Sequence, residues 1–306
     1  MPRVSIITAT YNRSEVLQFA IESVLNQTYS DYELLIVGDA CTDDTAAVVA
    51  SFGDPRIRFT NLPNNFGEQS GPNNAGFQSA AGELIAYLNH DDLWLPDHLA
   101  SLVGFIDAQQ CDIVYALPVS IDRHGLAFCG ITNAEFRYDP SHFVPASLWL
   151  LRRTVVAELG GWRNSRETDA RNPSQDFLFR AWKHGKDIRC HPRITALILA
   201  SGGRPGAYVS REDQQHRELA ARLQEPGFRE DLAIAAAVTS ARELGRLRSL
   251  RWGTLPATVF DRVVVNLAGH PDSVRNRLMR RRRGWWIDYL RELRGLAPLD
   301  DRKNSK

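Results

Sequence analysis

The chain has 306 residues and a 43% hydrophobic content, enough for one large domain or a domain with an appendage. Its formal net charge of +1 argues against a globally basic nucleic-acid-binding protein. Four cysteines without a C-x-x-C spacing argue against a zinc module or a redox pair and favour a reduced, cytoplasmic setting: Cys41, Cys111, Cys129 and Cys190.

The first hundred residues alternate between strand and helix patterns. Residues 4–8 form a β-branched apolar run typical of a buried parallel strand, and Ser14 is predicted to cap the helix that follows. This rhythm predicts an α/β sheet covered by helices on both faces. The predicted strands are 4–8, 33–37, 56–60 and 83–88, with helices starting at Ser14, near Asp43 and at Gly71.

The pattern loosens after Asp92. The predicted elements are a helix over 97–106, strands over 112–121 and 146–151, and a helix ending at Gly160-Gly161. A helix capped by Ser174 and two strands, over 188–190 and 194–199, then complete the sheet. Beyond about residue 210 the composition is rich in Arg, Leu and Ala, which predicts a helical C-terminal region.

Polar side chains follow three of the predicted strands. Thr8, Thr10 and Tyr11 come at the end of the first strand and Asp39 after the second, and the row 89–92 (NHDD) follows the fourth. In open α/β sheets ligands bind beyond the carboxyl ends of the strands. The sequence therefore predicts a binding site at this edge.

The carboxylates of this edge admit two interpretations. Asp91 and Asp92 either start a helix or hold a divalent cation against substrate phosphates. Asp43 and Asp44 already serve a helix start, which leaves Asp39 to accept hydrogen bonds from a base or a ribose. The chain has neither a G-x-G-x-x-G motif nor a P-loop.

Three segments resemble the N-terminal half of the family 2 glycosyltransferases: VSIITATYNR, SVLNQTYSDYELLIVGDACTDDT and NNFGEQSGPNNAGFQSAAGELIAYLNHDD. The resemblance covers about residues 2–200. It implies the GT-A fold, which is Rossmann-like and has a mostly parallel mixed sheet with helices on both faces. It also implies that Thr8, Thr10 and Tyr11 line the base pocket and that Asp39 bonds the base. Asp91 would lie near the ribose or the metal, and Asp92 would hold the Mn²⁺ or Mg²⁺ that bridges the diphosphate.

The segments ASLWLLRRTVVAELGGW and PSQDFLFRAWKHG are similar to the acceptor region of that family, where an acidic pair opens a helix. Asp176 would inherit the role of general base, and Gln175 replaces the usual Glu. The alternative for Asp176 is a first-turn carboxylate stabilised by the helix dipole. GPNNAG lacks the family's Arg, which leaves Asn73 or Asn74 to contact the donor. His90, Trp162 and Gln175 are further candidates for sugar contacts, and His191 is a weaker candidate for the metal.

These residues predict a metal-dependent inverting glycosyltransferase. It would move a sugar from a UDP-, GDP- or dTDP-linked donor to the hydroxyl of a glycan or lipid-linked acceptor. One base without a second nucleophile favours a single displacement with inversion. The alternatives are a sugar-nucleotide-binding protein without turnover and a nucleotidyltransferase. The predicted division is a GT-A domain over 1–206, with a nucleotide-sugar half (1–100) and an acceptor half (101–206), and a helical region over 207–306.

The C-terminal segment 275–294 contains eight Arg against Asp288 and Glu292, a local net charge of +6. It is interpreted as a solvated charge run, as a helix lying on the anionic inner face of a membrane, or as a homodimer contact. No nucleic-acid-binding module surrounds it. The dimer contact would be built on Trp285, Trp286, Tyr289 and Leu290.

The glycine-rich loop 201–208 is a candidate for closure over the donor.

Overall fold

The structure is a computed structural model that describes residues 1–122, 125–128, 135–140, 142–168, 172–199, 206, 208, 213–249 and 285–297. Among them, two sheets are formed by strands from the whole length of the first two hundred residues. The strands are β1 (Val4–Thr10), β2 (Tyr32–Gly38), β3 (Ile57–Asn61), β4 (Leu84–Tyr87), β5 (Leu93–Trp94), β6 (Ile113–Ala116), β7 (Val119–Asp122), β8 (Gly125–Phe128), β9 (Trp149–Arg152), β10 (Ile188–His191) and β11 (Ala196–Leu199).

The larger sheet has seven strands in the order β10-β6-β9-β4-β1-β2-β3. β1 pairs in parallel with β2 on one side and with β4 on the other. β9 is antiparallel to both of its neighbours, β4 and β6, so the sheet is mixed but mostly parallel. The carboxyl ends of β1, β2 and β4 consequently lie at one edge, as the sequence predicted.

Helices cover this sheet, and β1, β2 and β4 are buried along nearly their whole length. α3 lies close to β1, because a Cβ built on Gly76 would come within 2.5 Å of Ile7 Cγ2. The helices are α1 (Ser14–Leu25), α2 (Thr45–Ser51), α3 (Ser70–Ser79), α4 (His98–Gln109), α5 (Arg153–Glu158), α6 (Pro173–Lys183), α7 (Gln214–Arg222), α8 (Phe228–Ser249) and α9 (Trp285–Leu293).

The smaller sheet, in the order β5-β11-β7-β8, forms the base on which the C-terminal helices pack. Phe228 and Leu232 of α8 share one apolar cluster with Leu93, Val119 and Leu197 of the sheet. The helical C-terminal part is therefore built onto the α/β part through a common core. No helix in the described ranges is both long and apolar enough to cross a lipid bilayer.

Three local predictions differ from the structure. The single strand over 112–121 is divided into β6 and β7 at Pro118, which has no N–H for a strand ladder. Residues 146–151 begin with a 3₁₀ turn, Ala146–Leu148, before β9. Ser14 lies inside α1 and does not cap it, and α6 is capped by Asn172, whose side chain accepts from Gln175 N, instead of by Ser174.

Several sequence predictions fall outside the described residues. Cys129 and the basic run 275–284 are among them, and of the loop 201–208 only Gly206 and Tyr208 are described.

Candidate active site

The loops after β1 and β2 are joined to each other at the edge where both strands end. Asp39 N donates to Thr10 O over 2.8 Å, and Asn12 Oδ1 accepts from Thr42 N over 2.8 Å. Asn12 and Ala40 adopt left-handed backbone conformations, with φ of 46° and 59°. Non-glycine residues adopt such conformations at a cost in free energy that surrounding bonds must offset, and they are frequent at binding sites.

The hydroxyl groups of Thr8 and Thr10 lie at the end of β1. Both residues are buried, and neither Oγ1 atom has a hydrogen-bond partner within the described ranges. Buried hydroxyls without partners are uncommon because leaving one unpaired costs about 1 to 3 kcal/mol. These two groups are therefore suited to a polar ligand at this edge, and their part in the base pocket stays a prediction. Tyr11, the next predicted residue, is half-buried beside them.

Asp39 is buried at the end of β2 and is held by the backbone of the loop after β3. Its Oδ1 accepts from Phe66 N over 2.7 Å and its Oδ2 from Gly67 N over 2.8 Å. Burial raises the pKa of Asp39 to about 6, although these two N–H groups and the charge of Arg291 oppose that rise. The carboxylate is thus fixed in position at the predicted base pocket.

Asp92, the predicted metal ligand, is enclosed by the protein. Its Oδ2 accepts from Ser147 Oγ and from Asn89 Nδ2, and its Oδ1 accepts from Leu199 N over 2.9 Å. Burial, followed by the neighbouring charge of Asp91, raises the pKa of Asp92 to about 8. With 1% of its surface exposed, Asp92 joins β4, β11 and the turn before β9 and does not face a ligand. The buried carboxylate of Asp92 is therefore placed unlike a metal ligand, and Asp91 is the more exposed of the two carboxylates.

Asp91 is half-buried beside His90 at the mouth of the same edge. His90 Nδ1 lies 3.2 Å from Ala9 O, so that ring nitrogen carries the proton and donates it. Burial lowers the pKa of His90, the charge of Asp91 opposes this, and the charges of Arg13 and Arg294 add to the lowering. His90 is thus a neutral side chain between a carboxylate and two guanidinium groups.

His216 is a residue of this site that the sequence did not indicate. It is buried on α7, and its Nε2 lies 3.0 Å from the backbone oxygen of Asp91. A lone histidine in a polar helix carries no sequence signal for this contact. The C-terminal part thus supports the turn that carries Asp91.

The amide side chains of α3 have different roles. Asn73 is buried near the start of α3 and remains a candidate for the donor. Asn74 is bonded to the backbone at both ends of its amide, because its Oδ1 accepts from Trp162 N over 2.8 Å and its Nδ2 donates to Trp162 O over 2.9 Å. A Cβ on Gly161 would come within 2.6 Å of Asn74 Oδ1, so glycine permits this contact.

Trp162 belongs to the core, and the prediction that it contacts a sugar is wrong. It stacks on Trp149 at 5.7 Å and on Phe177 at 5.2 Å, and it meets Tyr87 edge-on at 4.9 Å. Only 4% of its surface is exposed. Because Phe177 directly follows Asp176 and Tyr87 ends β4, this aromatic cluster links the start of α6 to the end of β4.

Asp176 lies in the first turn of α6 with both oxygens occupied. Its Oδ2 accepts from Arg180 Nε over 2.7 Å and its Oδ1 from Thr168 Oγ1 over 2.7 Å. Arg180 in turn donates to the backbone oxygens of Leu159 and Gly161. The ion pair fixes the orientation of the carboxylate, while Gln175, one residue earlier, is also largely buried.

His191 is not part of this site. It lies on β10, three strands away from β4, and its ring packs against Phe105 at 4.9 Å. Three strand spacings amount to about 14 Å. The prediction that His191 completes a metal site is therefore wrong.

In the described part of the chain, no group of three or more His, Cys, Asp or Glu residues could hold a metal ion without other ligands. The half-buried Asp91 nevertheless fits a cation that shares its ligands with a diphosphate. Mg²⁺ is commonly held by one or two carboxylates together with substrate phosphate oxygens.

Comparison with known proteins decides the family. The model of the family described as glycosyl transferase family 2 matches residues 5–160, more than half of the chain. The chain belongs to glycosyl transferase family 2. The match includes the ends of β1, β2 and β4 and stops before α6.

The curated relatives of this family 2 chain are longer than the matched part. The succinoglycan biosynthesis protein ExoO of Rhizobium meliloti is 34% identical over 146 residues, 48% of this chain and 42% of ExoO. The UDP-Glc:alpha-D-GlcNAc-diphosphoundecaprenol beta-1,3-glucosyltransferase WfgD of Escherichia coli is 34% identical over 113 residues, 37% of this chain and 44% of WfgD. The chain thus matches less than half of the length of these two relatives.

Two solved structures show the fold of this family 2 chain to be GT-A. TarS of S. aureus, residues 1–349 in complex with UDP-GlcNAc, has a TM-score of 0.57 at 18% identity and covers 73% of this chain and 66% of its own. The mannosyltransferase PcManGT of Pyrobaculum calidifontis, in complex with GDP-Man and Mn²⁺, has a TM-score of 0.53 at 20% identity and covers 94% of this chain and 85% of its own.

Proposed function

We propose that the chain is a metal-dependent inverting glycosyltransferase that uses a nucleoside-diphosphate sugar. The observation that carries this proposal is the edge at which β1, β2 and β4 end. It combines the hydroxyls of Thr8 and Thr10, which have no partner in the described part of the chain, with two carboxylates. That of Asp39 is fixed in position, and that of Asp91 is half-buried. Hydroxyl and carboxylate groups are suited to a base and a ribose, and Asp91 is suited to a cation on the diphosphate.

Different residues of this edge would bind different parts of the donor. Thr8, Thr10, Tyr11 and Asp39 would seat the nucleoside, and Asn73 would contact the donor from α3. Asp91 would hold Mn²⁺ or Mg²⁺, which supplies positive charge against the leaving diphosphate when bound. His90 carries its proton on Nδ1, which leaves Nε2 as an acceptor toward a sugar hydroxyl.

Asp176 would accept the proton of the attacking acceptor hydroxyl. The bonds from Arg180 and Thr168 hold its carboxylate in one orientation at the start of α6, which a general base requires. Attack by the hydroxyl on the anomeric carbon forms the new glycosidic bond, breaks the bond to the diphosphate and inverts the configuration. Gln175, next to Asp176, is a candidate for positioning the acceptor.

The acceptor class is proposed from the relatives. WfgD is named for transfer to a diphosphoundecaprenol-linked sugar, and ExoO for succinoglycan biosynthesis. A glycan or a lipid-linked glycan is accordingly the proposed acceptor, and peripheral contact with a membrane would suit the lipid-linked case.

The variant Asp176→Asn tests the reaction. With Mn²⁺ and UDP-, GDP- or dTDP-sugars, we expect a loss of about 10²- to 10⁴-fold in kcat for transfer or donor hydrolysis, because the base is removed while its shape is kept. Glu167→Gln, at an exposed carboxylate nearby, is the matched control and retains activity. Equal rates for Asp176→Asn and the wild type would refute the assignment.

The second candidate is a sugar-nucleotide-binding protein without turnover. It is favoured by the ion pair that occupies Asp176 and by Gln175 at the position of the usual Glu. In that case the wild type would bind a donor in calorimetry but release neither product nor nucleoside diphosphate.

The pair Asp91→Asn and Asp92→Asn separates the two adjacent carboxylates. We expect Asp91→Asn to weaken Mn²⁺-dependent binding of a nucleoside diphosphate with little change in stability. The loss should be at least about 10- to 100-fold, which is the effect of removing only an outer-shell partner of a metal ligand. Asp92→Asn should mainly lower the free energy of unfolding, because its hydrogen bonds join three elements. The reverse outcome would restore the metal role to Asp92.

A further inference from the structure

The C-terminal helix α9 lies against the active site, outside the residues that match the family model. Arg291 Nη1 donates to Asn65 Oδ1 at 3.4 Å, and Asn65 Nδ2 donates to the backbone oxygen of Asp39. Arg291 is 6% exposed, and Tyr11 and Asp39 are among its nearest electrostatic neighbours. α9 thus contacts the part of the edge that holds the predicted base pocket.

Two further contacts fix α9 to other parts of the protein. Asp288 forms an ion pair with Arg166 at 3.1 Å, in the segment before α6. Gly206 N donates to Leu293 O over 2.9 Å. α9 therefore spans from the nucleotide half to the acceptor half of the α/β part.

The contacts of α9 bring a second arginine to the mouth of the site. The Arg294 guanidinium lies 5.4 Å from the centre of the Tyr208 ring, and the Arg13 guanidinium lies 5.1 Å from the same ring. Tyr208 also contacts Tyr11 at 6.4 Å and His90 at 6.2 Å, which places both guanidinium groups beside the end of β4. Asp91 is an electrostatic neighbour of Tyr208.

One N–H group of Arg13 has no hydrogen-bond partner among the described residues. The residue is 1% exposed, and its Nε bonds Glu15 Oε1 over 2.6 Å. Its Nη1 is buried without a hydrogen-bond partner in the part of the chain that the structure describes. A buried guanidinium N–H without a partner is costly, and an anion is the partner that would satisfy it best.

The sign of these charges indicates what α9 does at the site. Asp39 and Asp91 are acidic, and a diphosphate is also an anion, so its binding needs positive charge in addition to a metal ion. A segment that blocked the site by imitating a nucleoside diphosphate would present negative groups there. α9 instead brings Arg291 and the residue that follows its end, Arg294. The two are three residues apart, and Arg294 N donates to Leu290 O, so they lie on one side of the last turn.

We propose that α9 is part of the donor-binding site and that Arg294, together with Arg13 beside the same Tyr208 ring, binds the diphosphate of the donor. Arg291 is a positioning residue that holds α9 against the loop of Asp39. This assignment rests on the proposed glycosyl transfer for the identity of the anion. It adds Arg291 and Arg294, which lie more than a hundred positions beyond the family match, to Arg13, which lies inside it.

Calorimetric titration of the full chain with inorganic pyrophosphate, with and without MnCl₂, tests this proposal. The wild type should bind pyrophosphate, and Arg294→Ala should bind it about 10- to 100-fold more weakly, the effect of losing a hydrogen bond to a charged group. Arg294→Lys should recover part of the affinity because it keeps the charge but loses the guanidinium fork. The control Glu292→Ala, at an exposed acidic residue of the same helix, should leave the affinity within about twofold.

Three outcomes would overturn the proposal. They are the absence of pyrophosphate binding by the wild type, unchanged binding by Arg294→Ala, and tighter binding by Arg294→Ala, which would make α9 an inhibitory cover. If Arg294→Ala lowers the melting temperature, Arg294→Lys becomes the test variant. A Lys variant that binds pyrophosphate as weakly as a misfolded variant would also count against the proposal. Pyrophosphate has neither base nor sugar, so its binding is scored independently of transfer. A chain that binds pyrophosphate but never transfers a sugar would refute the proposed function alone.

Discussion

The buried carboxylates on the two sides of the site are held by different kinds of partner. On the donor side, Asp39 is bonded by two backbone N–H groups, and Asp92 by a hydroxyl, an amide and an N–H. On the acceptor side, Asp176 is bonded by the Arg180 guanidinium and by a hydroxyl. Neutral donors compensate burial only in part, as the raised pKa values of Asp39 and Asp92 show, whereas Asp176 has a full counter-charge.

This difference predicts that the two sides of the site are destabilised by different changes. A carboxylate held by neutral donors responds to pH, because it can take up a proton when its charge is poorly compensated. A carboxylate held by a guanidinium depends on that one residue, because removal of the cation leaves a buried charge without compensation. The donor side should therefore be sensitive to pH and the acceptor side to the loss of Arg180.

The largest expected effect is that of Arg180→Met. It removes the counter-ion of Asp176 and the donor to two backbone oxygens, and breaking a buried pair in this way costs about 3 to 5 kcal/mol. Urea unfolding measures it. Arg222→Met is the matched control, since Arg222 pairs with Glu225 at the surface and its loss should cost about 1 kcal/mol or less. Similar losses in the free energy of unfolding for the two variants would show that the buried Asp176–Arg180 pair stabilises the fold no more than a surface pair does.

The second effect is a pH dependence from Asp39. Between pH 3.8 and about 6 the native state keeps a proton on Asp39 that the unfolded chain has released. The native state then binds more protons, so the free energy of unfolding falls as the pH rises through this window, by roughly 2 kcal/mol. Asp92, whose pKa is raised to about 8, contributes a slope of the same sign through this window. Urea unfolding at several pH values should therefore show a steeper fall in the wild type than in Asp39→Asn.

Asp54→Asn is the control for that slope. The hydrogen bond from Arg56 lowers the pKa of Asp54, so this residue contributes stability that is lost only as the pH falls below the window. The slope between pH 4 and 6 should therefore persist in Asp54→Asn. A slope as steep in Asp39→Asn as in the wild type would assign the proton to another group.

The fold and the sheet edge where β1, β2 and β4 end could be predicted from the sequence, because the residue patterns that indicate them are local. β-branched runs and helical spacing predicted β1, β2, β4 and the helices between them, and parallel pairing then required their carboxyl ends to meet. The Asn-Pro at 172–173 could likewise have indicated the start of α6, since Asn caps helices and Pro favours their first position.

The partners of the site residues could not be predicted in this way. Asp92 is bonded by Ser147 and Leu199, which are 55 and 107 positions away in the chain. The contact of Arg291 with Asn65 spans 226 positions. No spacing rule connects residues so far apart, so the sequence placed Asp92 on the metal and interpreted α9 only as a charged or aromatic surface segment.

The smallest expected effect distinguishes the two states of Asp92. Ser147→Ala removes the hydroxyl that donates to Asp92 Oδ2 and accepts from Asn89 N. With the pKa of Asp92 at about 8, the lost bond is to a neutral carboxyl at pH 6.5 and to a carboxylate at pH 9. Hydrogen bonds to charged groups contribute more, so the loss of stability should grow from about 1 kcal/mol at pH 6.5 to about 2 kcal/mol at pH 9. Thermal and urea unfolding of metal-free protein at both pH values measure this. An equal loss at both would mean that Asp92 is already ionised at pH 6.5, and that the neutral donors around it compensate its charge as fully as Arg180 compensates Asp176.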